Sequence, residues 1–258
     1  MKYGKHLYHY LTGWVISFGL FGVLSASPSF ALEETLHLLS GQMGENGLPS
    51  GWEPLTFKKI ERHTQYRILQ EEGRPVIRAI SDRSASGLSR PLDLDPKVYP
   101  ILSWCWKVDG IISKGDARKK NGDDYPARIY LTFKYDPDKA GFLERSKFSI
   151  LKKLNKGKYP PKGALTYIWA NRIPKGEAVP NAYTDRVRMV AVESGEGKVG
   201  QRLCEERNIY EDYLSLFGEA PPRLSGVAVM TDTDNTGETA SASYSDLVLH
   251  RVTDGRSE

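Results

Sequence analysis

Apolar and polar residues alternate along much of this chain. From Val98 to Val108 one parity reads Val98, Pro100, Leu102, Trp104, Trp106, Val108; the other reads Tyr99, Ile101, Ser103, Cys105, Lys107. A repeat of two is the signature of a strand with one face on a core. It predicts that Trp104 and Trp106 are buried. The pattern recurs from Ala127 to Tyr135. Ala127, Ile129, Leu131, Phe133 and Tyr135 share one face, and Arg128, Tyr130, Thr132 and Lys134 share the other. Further strands are predicted at Leu55–Lys58, Tyr66–Gln70, Pro75–Ser81, Leu165–Asn171, Arg186–Val192, Ser225–Thr231 and Ser241–Arg251. Turn-forming stretches such as Glu71-Glu72-Gly73 separate them. Many short strands with turn signals between them predict a mostly-β fold: a single β-sandwich of jelly-roll type, with two short helices.

The first helix is expected from about Lys139 to Asn155, with Phe142, Leu143, Phe148, Leu151 and Leu154 forming one broad stripe. The second is better punctuated. Asn208 and Glu211 make a capping-box pattern, Gly218 suits the position after the last turn, and Pro221-Pro222 forbids continuation. Lys152, Lys153, Lys156 and Lys158 cluster at the end of the first helix, where cations suit the dipole; contact with anionic envelope polymers is the alternative.

The N-terminus changes the picture of where the protein works. Lys2 and Lys5 precede an apolar stretch from about Trp14 to Leu24, and Ser29-Phe30-Ala31 follows. This is the pattern of a secretory signal cleaved after Ala31, and the run is short for a membrane span. The expected organisation is a signal peptide over residues 1–31 and one sandwich domain over 32–258. Cleavage would remove two lysines and no acid from a net charge of +4, leaving about +2. That is too little to indicate nucleic acid. The expected location is periplasmic or secreted, with no stable span after cleavage. Export permits a disulfide between Cys105 and Cys204, but the sequence cannot show that they touch, and buried free thiols are the competing reading.

Candidate chemistry is sparse. The stretch Lys114–Tyr125 is either a solvated connection or a source of ligands in Asp116, Asp123 and Asp124. Asp232-Thr233-Asp234-Asn235-Thr236-Gly237 places oxygen donors at alternate positions before a glycine, as calcium loops do. Ser243 stands where an EF-hand needs its twelfth-position Glu, so a turn between strands is the competing reading. Asp232, Asp234 and Asn235 are the candidate calcium ligands. On the strands, Arg128 shares a face with Tyr130, Trp169 with Asn171, Arg186 with Arg188, and Tyr244 with Asp246. If these strands are neighbours, Arg128, Tyr130, Trp169, Asn171 and Arg188, with Asp124 nearby, make a sugar-binding surface of rings and hydrogen-bonding groups. Ordinary cross-strand packing is the alternative. No nucleotide loop, zinc cluster or nucleophile motif is present.

The blocks SWCWKVDG, GDDYPARIYLTF, LTYIWANR, RNIYEDYLSLFG, GVAVMTDTDNTG and ASYSDLVL, in that order between about Trp52 and His250, resemble a bacterial family known as domain of unknown function 3047. The resemblance implies a single exported domain and brings no mechanism. The last two blocks also resemble the terminal strands of jelly-roll sugar-binding modules. The expected function is an exported, non-catalytic glycan- or envelope-polymer-binding domain. The alternatives are a glycan hydrolase using carboxylates among Asp124, Glu193, Asp232 and Asp234, or an assembly protein of the envelope.

Overall fold

A computed structural model describes residues 32–252. The expected signal segment lies outside the described residues. Thirteen strands and two helices follow in order: β1 Leu32–His37, β2 Glu53–Leu55, β3 Gln65–Glu71, β4 Arg74–Asp82, β5 Ala85–Leu94, β6 Ile101–Val108, β7 Ala127–Phe133, α1 Phe142–Leu154, β8 Gly163–Ala170, β9 Ala178–Asn181, β10 Thr184–Ser194, β11 Leu203–Asn208, α2 Ile209–Phe217, β12 Leu224–Asp232 and β13 Thr239–Val252. One sheet runs β11-β6-β13-β4-β3, with β1 added on β13. The other runs β2-β5-β12-β7-β8-β10-β9. Successive strands β4, β5, β6 and β7, and again β11, β12 and β13, cross from one sheet to the other, which is the jelly-roll manner of closing a sandwich. The β8–β10 pair is parallel; the other described pairs are antiparallel.

The core lies between the sheets and follows the alternation. Ala127, Ile129, Leu131 and Phe133 point inward from β7 and are fully buried, as are Leu102, Trp104 and Trp106 from β6. Trp104 stacks on Tyr167 at 5.1 Å and meets Trp106 edge-on at 5.4 Å. Cys105 and Cys204 sit opposite each other on β6 and β11 and are bonded.

Three expectations change. On α1 only Phe148 is buried, stacked on Tyr135 at 3.8 Å; Phe142, Leu143 and Leu154 are 82%, 82% and 73% exposed. One fully buried apolar side chain therefore anchors this helix, Leu151 is half-buried, and Phe142, Leu143 and Leu154 of the expected stripe face outward. On β13 the pairing register shifts between Ser245 and Val248, and Asp246 has a positive φ of 51°. The bulge exchanges the two faces, so Tyr244 and Leu247 both enter the core while Asp246 stays at the surface with Arg202. Tyr244 and Asp246 therefore do not share a face. Strands β5, β9 and β11 lack a readable alternation. In β5 the reason is Arg90, which stands in the same row as Leu88, Leu92 and Leu94 and opposite the core residue Val227. Helix α2 starts and stops as the sequence predicts. The Asn208 side chain accepts from the Tyr210 and Glu211 amides, and Gly218 ends the helix at φ 72°.

Candidate functional site

The outer face of the β2–β9 sheet is divided in two. Over β8, β10 and β9 the chain between β6 and β7 folds back and builds a second small core. Ala117 and Tyr125 pack there on Ile168, Ala170, Val179 and Met189. The stretch Lys114–Tyr125 is thus a cover and not a solvated connection. Gly115 and Gly122 permit it. A Cβ on Gly115 would lie 2.1 Å from the Asn171 amide, and one on Gly122 would lie 2.7 Å from the Asp116 nitrogen.

Beneath the cover lies Arg128. It emerges on the outer face, as its parity predicts, but is only 3% exposed. Its Nε donates to Asp232 Oδ1 at 2.9 Å and its Nη2 also pairs with Asp232. Nη2 donates to the Asp123 carbonyl at 3.3 Å, and the rings of Tyr125 and Tyr130 lie 4.6 and 5.6 Å from the guanidinium. Burial alone would depress the Arg128 pKa. The surrounding tyrosines and the Asp123 and Asp124 carboxylates outweigh it, and the pKa is raised. Asp124 is fully buried and accepts from the Thr236 amide at 2.7 Å, the Asn235 amide at 3.3 Å and Asn235 Nδ2 at 3.1 Å.

Carboxylate oxygens of Asp124, Asp232 and Asp234 lie within 4.8 Å of one another. Oxygen donors at this spacing match a hard cation. Two of the three already have partners: the Arg128 guanidinium holds Asp232, and backbone and amide N–H groups hold Asp124. Asn235, expected as a third ligand beside Asp232 and Asp234, spends its side-chain amide on Asp124 and accepts from the Tyr183 hydroxyl at 2.8 Å. Asp234 has a raised pKa, from burial first and then from the Asp124 charge.

Three expected partners of Arg128 are elsewhere. The β7–β8 register sets Ala127 opposite Trp169 and Arg128 opposite Ile168. Trp169 therefore lies in the inter-sheet core, fully buried beside Trp106, with its Nε1 donating to the Gly195 carbonyl at 3.0 Å. Asn171 is buried as a brace. It accepts from the Ile112 amide and donates to the Asp124 carbonyl, both at 2.8 Å. Arg188 pairs with Leu165 in the parallel β8–β10 ladder and so leans to the core side, 5.8 Å from the Phe217 ring of α2. The combined sugar-binding face of Arg128, Trp169, Asn171 and Arg188 does not exist, because parity alone does not tell which face of a two-faced sheet is inside.

Tyr130 belongs to the uncovered half. There β5, β12 and β7 form the floor of an open groove of about 670 Å³. Cross-strand rows read Tyr130–Ala228–Ser89 and Thr132–Gly226–Pro91. Small residues in the middle strand keep the floor low. A Cβ on Gly226 would come within 3.2 Å of the Arg90 carbonyl. Phe57, Tyr135 and Tyr159 raise the walls, and Arg90 and Lys134 add cations. The Tyr135 hydroxyl is buried at the wall with no hydrogen-bond partner among the described residues. No Asp or Glu lines this groove among the described residues. Glu193, the other hydrolase candidate, lies away from it, held by Lys198 at 2.9 Å and Lys175 at 3.2 Å. Of this groove the sequence reading identified only Tyr130. The available signal was Gly226 and Ala228, small residues alternating with the core residues Val227 and Val229.

The chain belongs to the family described as a protein of unknown function, DUF3047, whose model matches residues 50–248. No curated protein matches it. Among solved structures it is similar to a mutant of the family 29 carbohydrate-binding module CBM29-2 complexed with cellulohexaose, at 8% identity and a TM-score of 0.35, over 84% of this chain and 90% of that one. Another mutant of a family 29 carbohydrate-binding module gives 8% identity and a TM-score of 0.36, over 84% and 91%.

Proposed function

We propose that this member of the DUF3047 family is a non-catalytic binder of a glycan or a related envelope polymer, held in the groove above Tyr130. The observation that carries the reading is the lining of that groove. Tyrosine rings stand on the wall and floor, and hydroxyls of Ser89, Thr132 and Ser225 lie between them. Rings stack on the apolar faces of sugars, and the Ser89, Thr132 and Ser225 hydroxyls give directional bonds. Each such bond contributes about 1 kcal/mol, which suits weak binding repeated along a polymer. Most glycoside hydrolases use a pair of carboxyl groups flanking the bond to be cut. The groove supplies none, which favours binding over cleavage. Export to the periplasm or beyond belongs to the same reading, and the Cys105–Cys204 bond supports it because disulfides persist in oxidising compartments.

The test compares wild type with Tyr130→Ala and Tyr159→Ala on a glycan array and by affinity electrophoresis in polysaccharide gels. Both variants should lose retention about tenfold or more while melting within a few degrees of wild type, since one or two stacked rings are worth about 1–3 kcal/mol. Unchanged retention in both variants would remove the groove from consideration. Mass spectrometry of protein recovered from its native host should find an N-terminus at Leu32.

A further inference from the structure

Helix α1 is an amphipathic element whose apolar side is turned away from the body of the protein. Leu143, Ile150 and Leu154 lie at positions i, i+7 and i+11 and so share one face; they are 82%, 61% and 73% exposed. Lys147 sits within the same stripe, at i+4. The opposite face holds Phe148, which anchors the helix on Tyr135. Three large aliphatic side chains aligned in water are a contiguous patch, and such patches mark contact surfaces.

Charge identifies the kind of contact. Between Lys139 and Lys158 there are seven basic residues and one acidic residue, Glu144. The whole chain is only +4, so the remainder is net acidic. Lys153 follows Ile150 on the exposed side, and Lys156 and Lys158 are exposed in the turn that succeeds the helix. A protein partner would be matched by shape and by paired hydrogen bonds. A row of leucine and isoleucine bordered by lysines on long flexible stems instead matches the boundary between acyl chains and anionic headgroups: aliphatic tips enter, and ammonium groups remain at headgroup level.

We infer that α1, with the lysines of the turn after it, is a peripheral docking element for an anionic lipid surface. The apolar stripe inserts shallowly and the Lys147, Lys153, Lys156 and Lys158 cluster pairs with lipid phosphates. Tyr135 and Tyr159 join α1 to the groove wall, so a docked helix would hold the groove beside the lipid surface.

The experiment is vesicle co-sedimentation of the full chain. Vesicles of phosphatidylcholine alone are compared with vesicles of equal parts phosphatidylcholine and phosphatidylglycerol, at low and high salt. Two variants accompany wild type: Leu143→Ser/Ile150→Ser/Leu154→Ser, and Lys147→Gln/Lys153→Gln/Lys156→Gln/Lys158→Gln. All are full chains, so any contribution of residues 1–31 is common to them. Wild type should partition to the anionic vesicles at least about tenfold better than either variant, and salt should erase the difference from the lysine variant. The altered side chains are exposed, so all three proteins should melt alike. Equal partitioning of wild type and both variants overturns the inference. So does dimerisation of wild type that the serine variant loses, without vesicle binding, which would assign the stripe to a second copy. Retention by a soluble polyanion such as heparin, without vesicle binding, would overturn it in favour of an acidic polymer.

Discussion

Arg128 shows how much one buried charge organises. A guanidinium taken from water is tolerable only when fully paired, and removing its partner leaves the full desolvation cost. Asp232 is that partner, at 1% exposure, so Asp232→Asn should cost about 3–5 kcal/mol in chemical denaturation. Asp234, two residues on, should behave oppositely. Its folded pKa is raised above the unfolded value, so its ionisation opposes folding. The penalty is absent below the ordinary carboxylate range, grows as pH rises towards the folded pKa, and is complete above it. Asp234→Asn should therefore melt at or above wild type at neutral pH, with the gap closing in acid. The same melts with calcium and with chelator bear on the acidic trio. With Asp232 and Asp124 already satisfied, the two curves are expected to superimpose. A calcium-dependent rise that Asp234→Asn abolishes would show that the trio holds an ion, by mass action.

At the scale of elements, β6 was the most legible part of the chain because every inward position from Leu102 to Val108 is large and apolar. The indole nitrogens of Trp104 and Trp106 are buried without partners among the described residues. Truncation to Ala should cost about 3–5 kcal/mol at either position. Trp104→Phe should cost clearly less, because it removes an unsatisfied N–H while keeping a ring against Tyr167. A Phe variant as damaged as the Ala variant would mean that the indole N–H finds a partner. Strands β7, β8, β10 and β12 were legible for the same reason as β6, while on β13 the strand was legible and the bulge at Asp246 was not. What the alternation could not convey was which neighbour covers the other face. Arg128 reads as an exposed polar residue until the 109–126 cover is in place. Trp169 reads as a binding ring until the register sets it opposite Ala127. Helix α1 reads as a core helix because five apolar residues fall near one stripe. Only packing shows that Phe148 alone of them is fully buried. Of the candidate groove, Tyr130 was legible; Phe57 and Tyr135 fell within predicted strands with nothing to mark them as groove walls, and Tyr159 comes from a segment that local patterning leaves irregular.

Across the whole molecule, the Cys105–Cys204 bond is a covalent link between two distant points of the described chain. It spans 99 residues, and the closed segment contains β7, α1, β8, β9 and β10, more than half of the second sheet. Strand β11 is an edge strand, joined to its sheet through β6 alone. In the unfolded chain the bond forbids separation of two distant points, and for a loop near 100 residues the chain-entropy estimate is about 4–5 kcal/mol of stabilisation. The double variant Cys105→Ser/Cys204→Ser, which avoids stray thiol chemistry, should thus unfold at clearly lower denaturant, with a stability loss of about 2–5 kcal/mol. Its m-value should rise, because a chain without the cross-link exposes more surface on unfolding. The groove is built from β5, β12 and β7, none of which carries either cysteine, so whatever ligand the native protein retains on a glycan array the folded variant should retain equally. A variant that keeps its midpoint would mean that the unfolded chain already holds β6 and β11 together. One that keeps its stability but loses the groove ligand would show instead that the two sheets are coupled through the bond, and the division between a stapled sheet and a separate binding sheet would fail.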